Sequence, residues 1–316
     1  GGVRFVVSKS TTTEFGTLPS GRSGNRYAID GTKLLAAYDV IRSGTSYGVS
    51  NPVLSVTIPS TEQSAQVSIP IRSMMDAAAK ASNASLRVEF GEMQFTLPLT
   101  AINYGKELYL ANADSSNAKL VLSIEKTQDV NLSSALSINS AELLATPADF
   151  SAGLLVGSQV RPVEGYDMYV TRAFTLPSFT GNVDNVAVVR YDNDAGEMVY
   201  VPTRITQSGS TAKVEFLRKN NSVYTVVRKN IAYSDMTSHW ARNTVNALAS
   251  KFIVDGPSRS TFAPDKNITR AEFAEYLARG LGLNGDKAAA ARFPDVGVGH
   301  ASAGYIGAVS KAGIGE

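Results

Sequence analysis

The spacing of the apolar residues changes once along this chain, close to Tyr233, and this change limits the folds that the chain can adopt. Before Tyr233, short runs such as residues 86–90 and 93–97 alternate apolar and polar side chains, which predicts half-buried β-strands. After it, apolar residues recur every three or four positions through 239–252 and 270–281, which predicts two amphipathic helices. We therefore expect a multidomain α+β protein, with a β-rich, sandwich-like N-terminal body followed by an α-helical helix-loop-helix unit.

The β-rich body is predicted to hold short helices among its strands. Residues 33–41 and 71–81 carry helical patterns, whereas the mixed pattern of residues 132–144 fits a helix or a loop. Strands at a spacing of roughly 8 to 12 residues, with turn signals between them, are typical of a sandwich or a barrel. We expect strands rather than helices through residues 160–228. We expect domains at residues 1–125, 126–230, 231–292 and 293–316.

The composition argues against several classes of protein. The 316 residues include no Cys, which removes a thiolate nucleophile, a disulfide framework and Cys-ligated zinc. Lys and Arg number 30 against 28 Asp and Glu, and this balance argues against a nucleic-acid partner. No window of about 18 apolar residues occurs, so we expect no membrane insertion. The start at Gly1-Gly2 has no signal-peptide pattern and the last residues stop in mid-pattern, so we interpret the sequence as a fragment.

Residues that form common catalytic sites are sparse in this sequence. The two histidines, His239 and His300, do not lie in a metal-binding spacing, and the sequence has no nucleophile elbow or phosphate-binding loop. The run Asp192-x-Asp194-x-Gly196 resembles a calcium loop only in part, and a hairpin turn explains the same residues. We therefore expect a non-catalytic protein with no catalytic residues, no metal and no cofactor.

The most specific pattern lies in the helical segment. It runs through Tyr233-Ser234-Asp235-Met236, His239-Trp240-Ala241, Gly256, Phe262-Ala263-Pro264 and Ile268-Thr269-Arg270-Ala271-Glu272-Phe273. This order and spacing strongly resemble an S-layer homology (SLH) domain. A second repeat begins at Phe293-Pro294-Asp295-Val296, but Ala301 follows His300 where the family usually has Trp. Residues 50–230 carry Ile-Pro pairs at 58–59 and 69–70, Leu97-Pro98-Leu99, and the run 222–227 that leads into the SLH start. With these features they are also similar to the β-rich region that precedes SLH repeats in some S-layer-type proteins of Paenibacillus-like bacteria.

The resemblance implies a function at the cell surface. SLH repeats usually come in threes and hold exported proteins on the Gram-positive cell wall, where the ligand is a secondary cell-wall polysaccharide, often pyruvylated. It implies an extracellular, cell-wall or S-layer location, and self-association in a surface lattice, with the β-rich part as a spacer or lattice module. Two alternatives remain open. In the first, the chain is the anchoring end of a larger exocellular enzyme such as a glycoside hydrolase. In the second, its β-rich body is a carbohydrate-binding module.

Three candidate ligand-binding residues surround the predicted start of the second helix. Thr269 and Glu272 have the spacing of a capping box, in which the hydroxyl caps the helix and the carboxylate reaches back. Arg270 then lies in the first turn, near the backbone N–H groups and the positive end of the helix dipole. A guanidinium there can grip a carboxylate with two hydrogen bonds. We expect Thr269 and Glu272 to act mainly as caps and Arg270 to contact the polysaccharide.

Three further candidates lie earlier in the segment, and each has a structural alternative. Trp240, the only Trp of the chain, would stack on a sugar ring or pack in the core. Asp235 would accept hydrogen bonds from sugar hydroxyls or cap a helix. Gly256 would let a ligand approach the backbone closely. We expect no chemistry from His239, and we expect core or loop positions for Phe262, Pro264 and Phe273.

Overall fold

The computed structural model describes residues 3–6, 11, 13–45, 51–128, 130–192, 194, 196–218 and 222–280. The partial second repeat predicted at 293–316 lies outside these residues. The helices in the described part are α1 Gly31–Thr45, α2 Ile71–Lys80, α3 Tyr104–Leu110, α4 Val130–Ile138, α5 Arg242–Ser250 and α6 Arg270–Gly280. The strands there are β1 Val3–Val6, β2 Thr13–Thr17, β3 Ser23–Ala28, β4 Val53–Ile58, β5 Ser64–Pro70, β6 Ser85–Phe90, β7 Met93–Pro98, β8 Ala118–Lys126, β9 Glu142–Leu143, β10 Ala148–Val156, β11 Gln159–Pro162, β12 Val170–Leu176, β13 Val186–Asp192, β14 Glu197–Val201, β15 Thr203–Ser208, β16 Thr211–Arg218 and β17 Val223–Arg228.

The chain forms two compact units, and it passes between them more than once. The first unit combines the residues up to Thr127 with Ala148–Pro177 and Thr211–Val223. The second combines Gln128–Pro147, Ser178–Ser210 and the described residues from Tyr224 onward. The C-terminal helical segment therefore belongs to the same unit as several strands of the β-rich part.

The first unit contains two mixed sheets. One has the strand order β1-β4-β6-β7-β12-β16, and the other has the order β10-β8-β5-β3-β2 with β11 added beside β10. Strands β6 and β7 bury alternate residues, as the period of two predicted. The central strands β5 and β8 are instead buried along most of their lengths, because both faces of that sheet are covered.

Aromatic side chains from both sheets meet in the core of the first unit. The ring of Phe150 on β10 packs edge-on against Phe95, Phe174 and Phe216 on the other sheet, at centroid distances of 5.9, 5.6 and 6.2 Å. All four rings are almost fully buried. Contacts of this kind stabilise the packing beyond the area that the rings bury.

The second unit contains the antiparallel strands β14, β13 and β17, with the short strand β9 beside β17. The ambiguous stretch at 132–144 resolves into α4 followed by β9. In the described part of residues 160–228, the only helical turn is a 3₁₀ turn at Val183–Asn185, so the prediction of strands there is confirmed. Among the described residues, no helix has the length and apolar character that spanning a membrane requires.

Candidate functional site

A small apolar core organises the C-terminal segment of the second unit. Tyr233, Met236 and Ala249 are buried at its centre, and Ile231, Ala241, Val245, Val254 and Phe262 pack around them. The ring of Phe262 lies 5.5 Å from the ring of Tyr233, which joins the loop after α5 to the turn before it. The loop between α5 and α6 has little regular structure. This core holds the loop against α5 and against the turn that precedes α5.

Asp235 fastens the loop to the 3₁₀ turn Ser234–Met236. Its two carboxylate oxygens accept hydrogen bonds from the backbone N–H of Phe262 at 2.8 Å and of Ala263 at 2.7 Å. These two bonds lower the pKa of Asp235 because they stabilise its charged form. The sequence suggested a helix cap or a sugar contact, and the structure shows a bond to the loop backbone that neither alternative included.

Gly256 lies where two parts of this loop come close together. A Cβ atom on residue 256 would lie 2.7 Å from the Cα of Phe262, and it would also overlap the carbonyl oxygen of Thr261. The hydroxyl and the backbone N–H of Ser234 both bond the carbonyl oxygen of Ser260, at 2.8 and 2.7 Å, and so hold the same stretch of loop. The absence of a side chain at 256 therefore makes room for the protein's own backbone.

Thr269 caps α6 as the sequence predicted. Its hydroxyl accepts a hydrogen bond from the backbone N–H of Glu272 at 3.0 Å. The Glu272 carboxylate accepts a bond from that same hydroxyl at 3.2 Å, where a full capping box would bond the backbone N–H of Thr269. The capping interaction is therefore local and centred on the Thr269 hydroxyl.

Replacing Thr269 by Ala should lower the stability of the second unit by about 1 kcal/mol, the usual cost of losing an N-cap hydroxyl. Thermal melting of the two proteins measures the difference. Thr269→Ser keeps the capping oxygen and is the matched control, which should melt close to the wild type. Equal losses from both substitutions would show that the cap does not stabilise the helix.

Arg270 and Trp240 lie on the surface of the segment. Arg270 is the first residue of α6 and its side chain is exposed. Trp240 is 92% exposed and its ring stacks on that of His239 at a centroid distance of 5.5 Å. The core position considered for Trp240 is therefore wrong, and the ring face that does not stack on His239 is open to solvent.

The position of Trp240 follows from where α5 begins. The Nδ1 atom of His239 accepts a hydrogen bond from the backbone N–H of Ala241 at 3.1 Å, and the helix starts only at Arg242. Residues 239–241 therefore precede the helix that the sequence pattern began at 239, and Trp240 lies outside its apolar face. The predicted core position of Phe273 is also wrong, because this ring is 59% exposed, whereas Phe262 packs as expected.

A cavity of about 530 Å³ lies between the loop and α6. Gly256 and Glu272 line it, together with Phe262 and Ala263, whose backbone N–H groups donate to Asp235. Trp240, Thr269 and Arg270 are not among its lining residues. Of the six candidates, Gly256 and Glu272 line the cavity, and Asp235 bonds to the backbone of two residues that line it. Trp240 and Arg270 lie on the exposed surface.

Two side chains that shape this region, Tyr276 and Arg279, were not among the residues predicted from the sequence. The hydroxyl of Tyr276 donates a hydrogen bond to the carbonyl oxygen of Asp255 at 3.0 Å, and Arg279 pairs with the Asp255 carboxylate at 3.4 Å. Both side chains come from α6, so they tie the helix to the start of the loop. The spacing of four residues between Glu275 and Arg279 was a signal for the ion pair that these two side chains form, but no spacing rule predicts the contacts with Asp255. No group of three or more His, Asp or Glu side chains within the described ranges could hold a metal ion.

Glu197 on β14 is a titrating group next to this segment, within the second unit. Burial raises its pKa to about 7 from 4.5; Arg279 opposes the rise, and Glu275, Asp192 and Asp255 add to it. Because the folded state holds this proton more tightly than the unfolded chain does, the stabilisation from protonated Glu197 is complete below pH 4.5. It disappears as the pH rises through about 7.

We therefore expect Glu197→Gln to flatten the pH dependence of stability. The wild type should lose more of its melting temperature between pH 5 and pH 8 than the variant, which cannot ionise at this position. Melting curves at both pH values for wild type, Glu197→Gln and the exposed turn variant Glu92→Gln give the comparison. The same pH response in all three proteins would contradict the role of Glu197.

Comparisons with known proteins identify the segment. The family model described as "SLH: S-layer homology domain" matches residues 232–274. The chain is 32% identical over 129 residues to an amylopullulanase of Thermoanaerobacterium thermosulfurigenes, which covers 41% of this chain and 7% of that protein. It is 35% identical over 89 residues to exoglucanase XynX of Acetivibrio thermocellus, covering 28% and 8%. It is 40% identical over 76 residues to S-layer protein sap of Bacillus anthracis, covering 24% and 9%.

These three relatives are much longer than the matched parts, since the chain spans less than a tenth of each. They come from genera other than Paenibacillus, and the closer resemblance to Paenibacillus-like proteins stays a prediction. The relatives share only a short region with this chain. They include an S-layer protein as well as enzymes. Residues 232–274 of this chain are an S-layer homology domain.

Proposed function

We propose that this chain is a non-catalytic surface protein that its SLH domain anchors to the cell wall of a Gram-positive bacterium. The SLH domain itself is a non-catalytic anchor, and with S-layer relatives it indicates a location at the cell wall or cell surface. The match at residues 232–274 is the observation that carries this proposal.

The proposed ligand is a secondary cell-wall polysaccharide with acidic substituents such as pyruvate ketals. The exposed guanidinium of Arg270 at the start of α6 supports this, because cations and backbone N–H groups at such a position suit a carboxylate. The exposed ring of Trp240 can stack on the apolar face of a sugar. The loop cavity is a poorer place for an anion, since Asp255, Asp265, Glu272 and Glu275 line it. We therefore assign polysaccharide contact to the exposed surface at Arg270 and Trp240.

The β-rich body is proposed to act as a sandwich-like spacer or lattice module, joined to a helix-loop-helix SLH unit. The packing of Phe150 of one sheet against three Phe rings of the other supports the sandwich-like arrangement. Self-association in a surface lattice is part of this proposal, and the S-layer relatives support it. The boundaries at 125/126, 230/231 and 292/293 are likewise proposed domain limits.

Co-sedimentation with purified cell-wall sacculi tests the proposed function. The chain should pellet with untreated sacculi and remain in solution with sacculi from which the polysaccharide has been extracted. Added free polysaccharide should release the bound protein. Equal binding to extracted sacculi would contradict the assigned ligand, and release of reducing sugar from the sacculi would contradict the absence of catalysis.

A further inference from the structure

A second cavity, of about 590 Å³, lies in the first unit and has a different character. Gln66 on β5, Ser123 on β8 and Ser151 on β10 line it. Gln66 is the register partner of Ser123, and Ser123 is that of Ser151, so the three form a row across neighbouring strands. Register partners in adjacent strands project from the same face of a sheet. A row of polar side chains therefore forms part of the cavity wall.

This row presents hydrogen-bond acceptors with no protein partner. Ser123 is only 4% exposed, and its hydroxyl has no hydrogen-bond partner among the described residues. The Gln66 side chain is 1% exposed, and its Nε2 donates to the carbonyl oxygens of Gly16 at 3.0 Å and Gly24 at 3.2 Å. That leaves Oε1 as the acceptor of the amide. Neither oxygen is among the fully buried side-chain atoms that lack a partner, so both are open to the cavity and can accept a hydrogen bond from a ligand.

Asp149 is the one ionisable side chain among the residues that line the cavity. The Ser151 hydroxyl donates to its Oδ1, and its Oδ2 has no hydrogen bond to any residue that the structure describes. Burial raises the pKa of Asp149, the Ser151 bond and Arg172 lower it, and Glu125 raises it further. Glu125 itself is paired with Arg22 at 2.7 Å. A desolvated carboxylate without a cation in the cavity wall favours a positively charged ligand.

The rest of the lining is largely aliphatic. Leu18, Pro19, Val121, Val160 and Pro162 form apolar parts of the wall. Such a surface suits a short hydrocarbon stem, and the long side chain of lysine combines a stem of this kind with a charged end. The volume of the cavity falls within the range of small-molecule sites.

We propose that this cavity binds a primary ammonium group carried on a short aliphatic stem. The ammonium donates to the Asp149 carboxylate and the Ser123 hydroxyl, and the stem lies against the aliphatic wall. Both a free alkylamine and the side chain of a lysine on another molecule have this chemistry. An anion is excluded, because the carboxylate would repel it.

Titration of the whole chain with n-pentylammonium, followed by NMR or calorimetry, tests the site against the uncharged isostere n-pentanol. The ammonium should bind at least tenfold more tightly than the alcohol, because only the cation gains the charge-assisted bond. Asp149→Asn should weaken ammonium binding at least tenfold, and Ser123→Ala should weaken it less. Asp76→Asn, which removes an exposed carboxylate from α2, is the matched control and should bind normally.

The pH response adds a second criterion. Pentylammonium stays charged from pH 5 to pH 8, whereas Asp149 must be ionised to hold it, so binding should be tighter at pH 8. A parallel titration with Nα-acetyl-lysine N-methylamide decides the source, since its binding indicates a lysine side chain and its failure indicates a free amine. Equal affinity for pentanol, or an Asp149→Asn variant that melts and binds like the wild type, would overturn the proposal.

Discussion

Replacing Arg270 by Ala is expected to weaken binding to wall polysaccharide between tenfold and a hundredfold while the fold stays intact. Arg270 is exposed at the first position of α6, and the hydroxyl that caps this helix comes from Thr269. Removal of the guanidinium should therefore leave the helix start in place. Loss of a charge-assisted contact typically costs roughly 1.5–3 kcal/mol, which corresponds to the expected loss of affinity. Co-sedimentation with sacculi measures binding, and thermal melting measures the fold.

The matched control for this experiment is Arg204→Ala. Arg204 is an exposed arginine on β15, outside the matched residues 232–274, and its loss changes the net charge equally. The Arg204→Ala variant should bind sacculi like the wild type. Equivalent arginines in any further repeat should be replaced beforehand, because redundant sites would mask the effect. Normal binding by Arg270→Ala, or a loss that merely follows early melting, would show that Arg270 does not hold the polysaccharide.

Much of the fold could be predicted because hydrophobic period is a local property. The change of period near Tyr233 identified α5 and α6, and strict alternation identified the hairpin of β6 and β7. Strand β10 was missed because both of its faces are covered, and Asp149, Ser151 and Gly153 on one of them interrupt the apolar pattern. Helix α3 was missed because a helix of seven residues is too short to show a period. Its cap was the available signal, since the Asn103 side chain accepts a bond from the Lys106 N–H at 3.1 Å.

The candidate site was predictable to the extent that its contacts are short in sequence. The cap between Thr269 and Glu272 spans three residues, and the sequence pattern predicted it. The bond from Asp235 to the Phe262 backbone spans 27 residues, a distance over which no spacing rule applies. The exposure of Trp240 depended on where α5 begins, and element boundaries are the least certain part of any pattern. The long-range contacts of the loop are therefore visible only in the structure.

These loop contacts make Gly256 a sensitive position of the SLH segment. Its backbone is not among the described residues with positive φ, so glycine is needed here for space and not for an unusual conformation. The atoms that a Cβ would meet belong to the backbone of Thr261 and Phe262, and no side-chain rotation can move them away. Displacing this backbone would also stretch the two bonds that Asp235 accepts from Phe262 and Ala263.

Gly256→Ala should therefore destabilise the segment by about 1–3 kcal/mol, the usual range for an overpacked site. The loop carries Phe262, which packs on the core around Tyr233, so the loss should extend beyond the loop to the packing of α5 on this core. Gly105→Ala on α3 is the control, because a Cβ there would come no closer than 3.8 Å to its neighbours and Ala favours a helix. Thermal melting should place Gly105→Ala at or above the wild type and Gly256→Ala well below it, with sacculus binding reduced in the latter alone. If Gly256→Ala melts like the wild type, the loop yields to the added methyl group at no cost, and the close approach of its backbone does not constrain this domain.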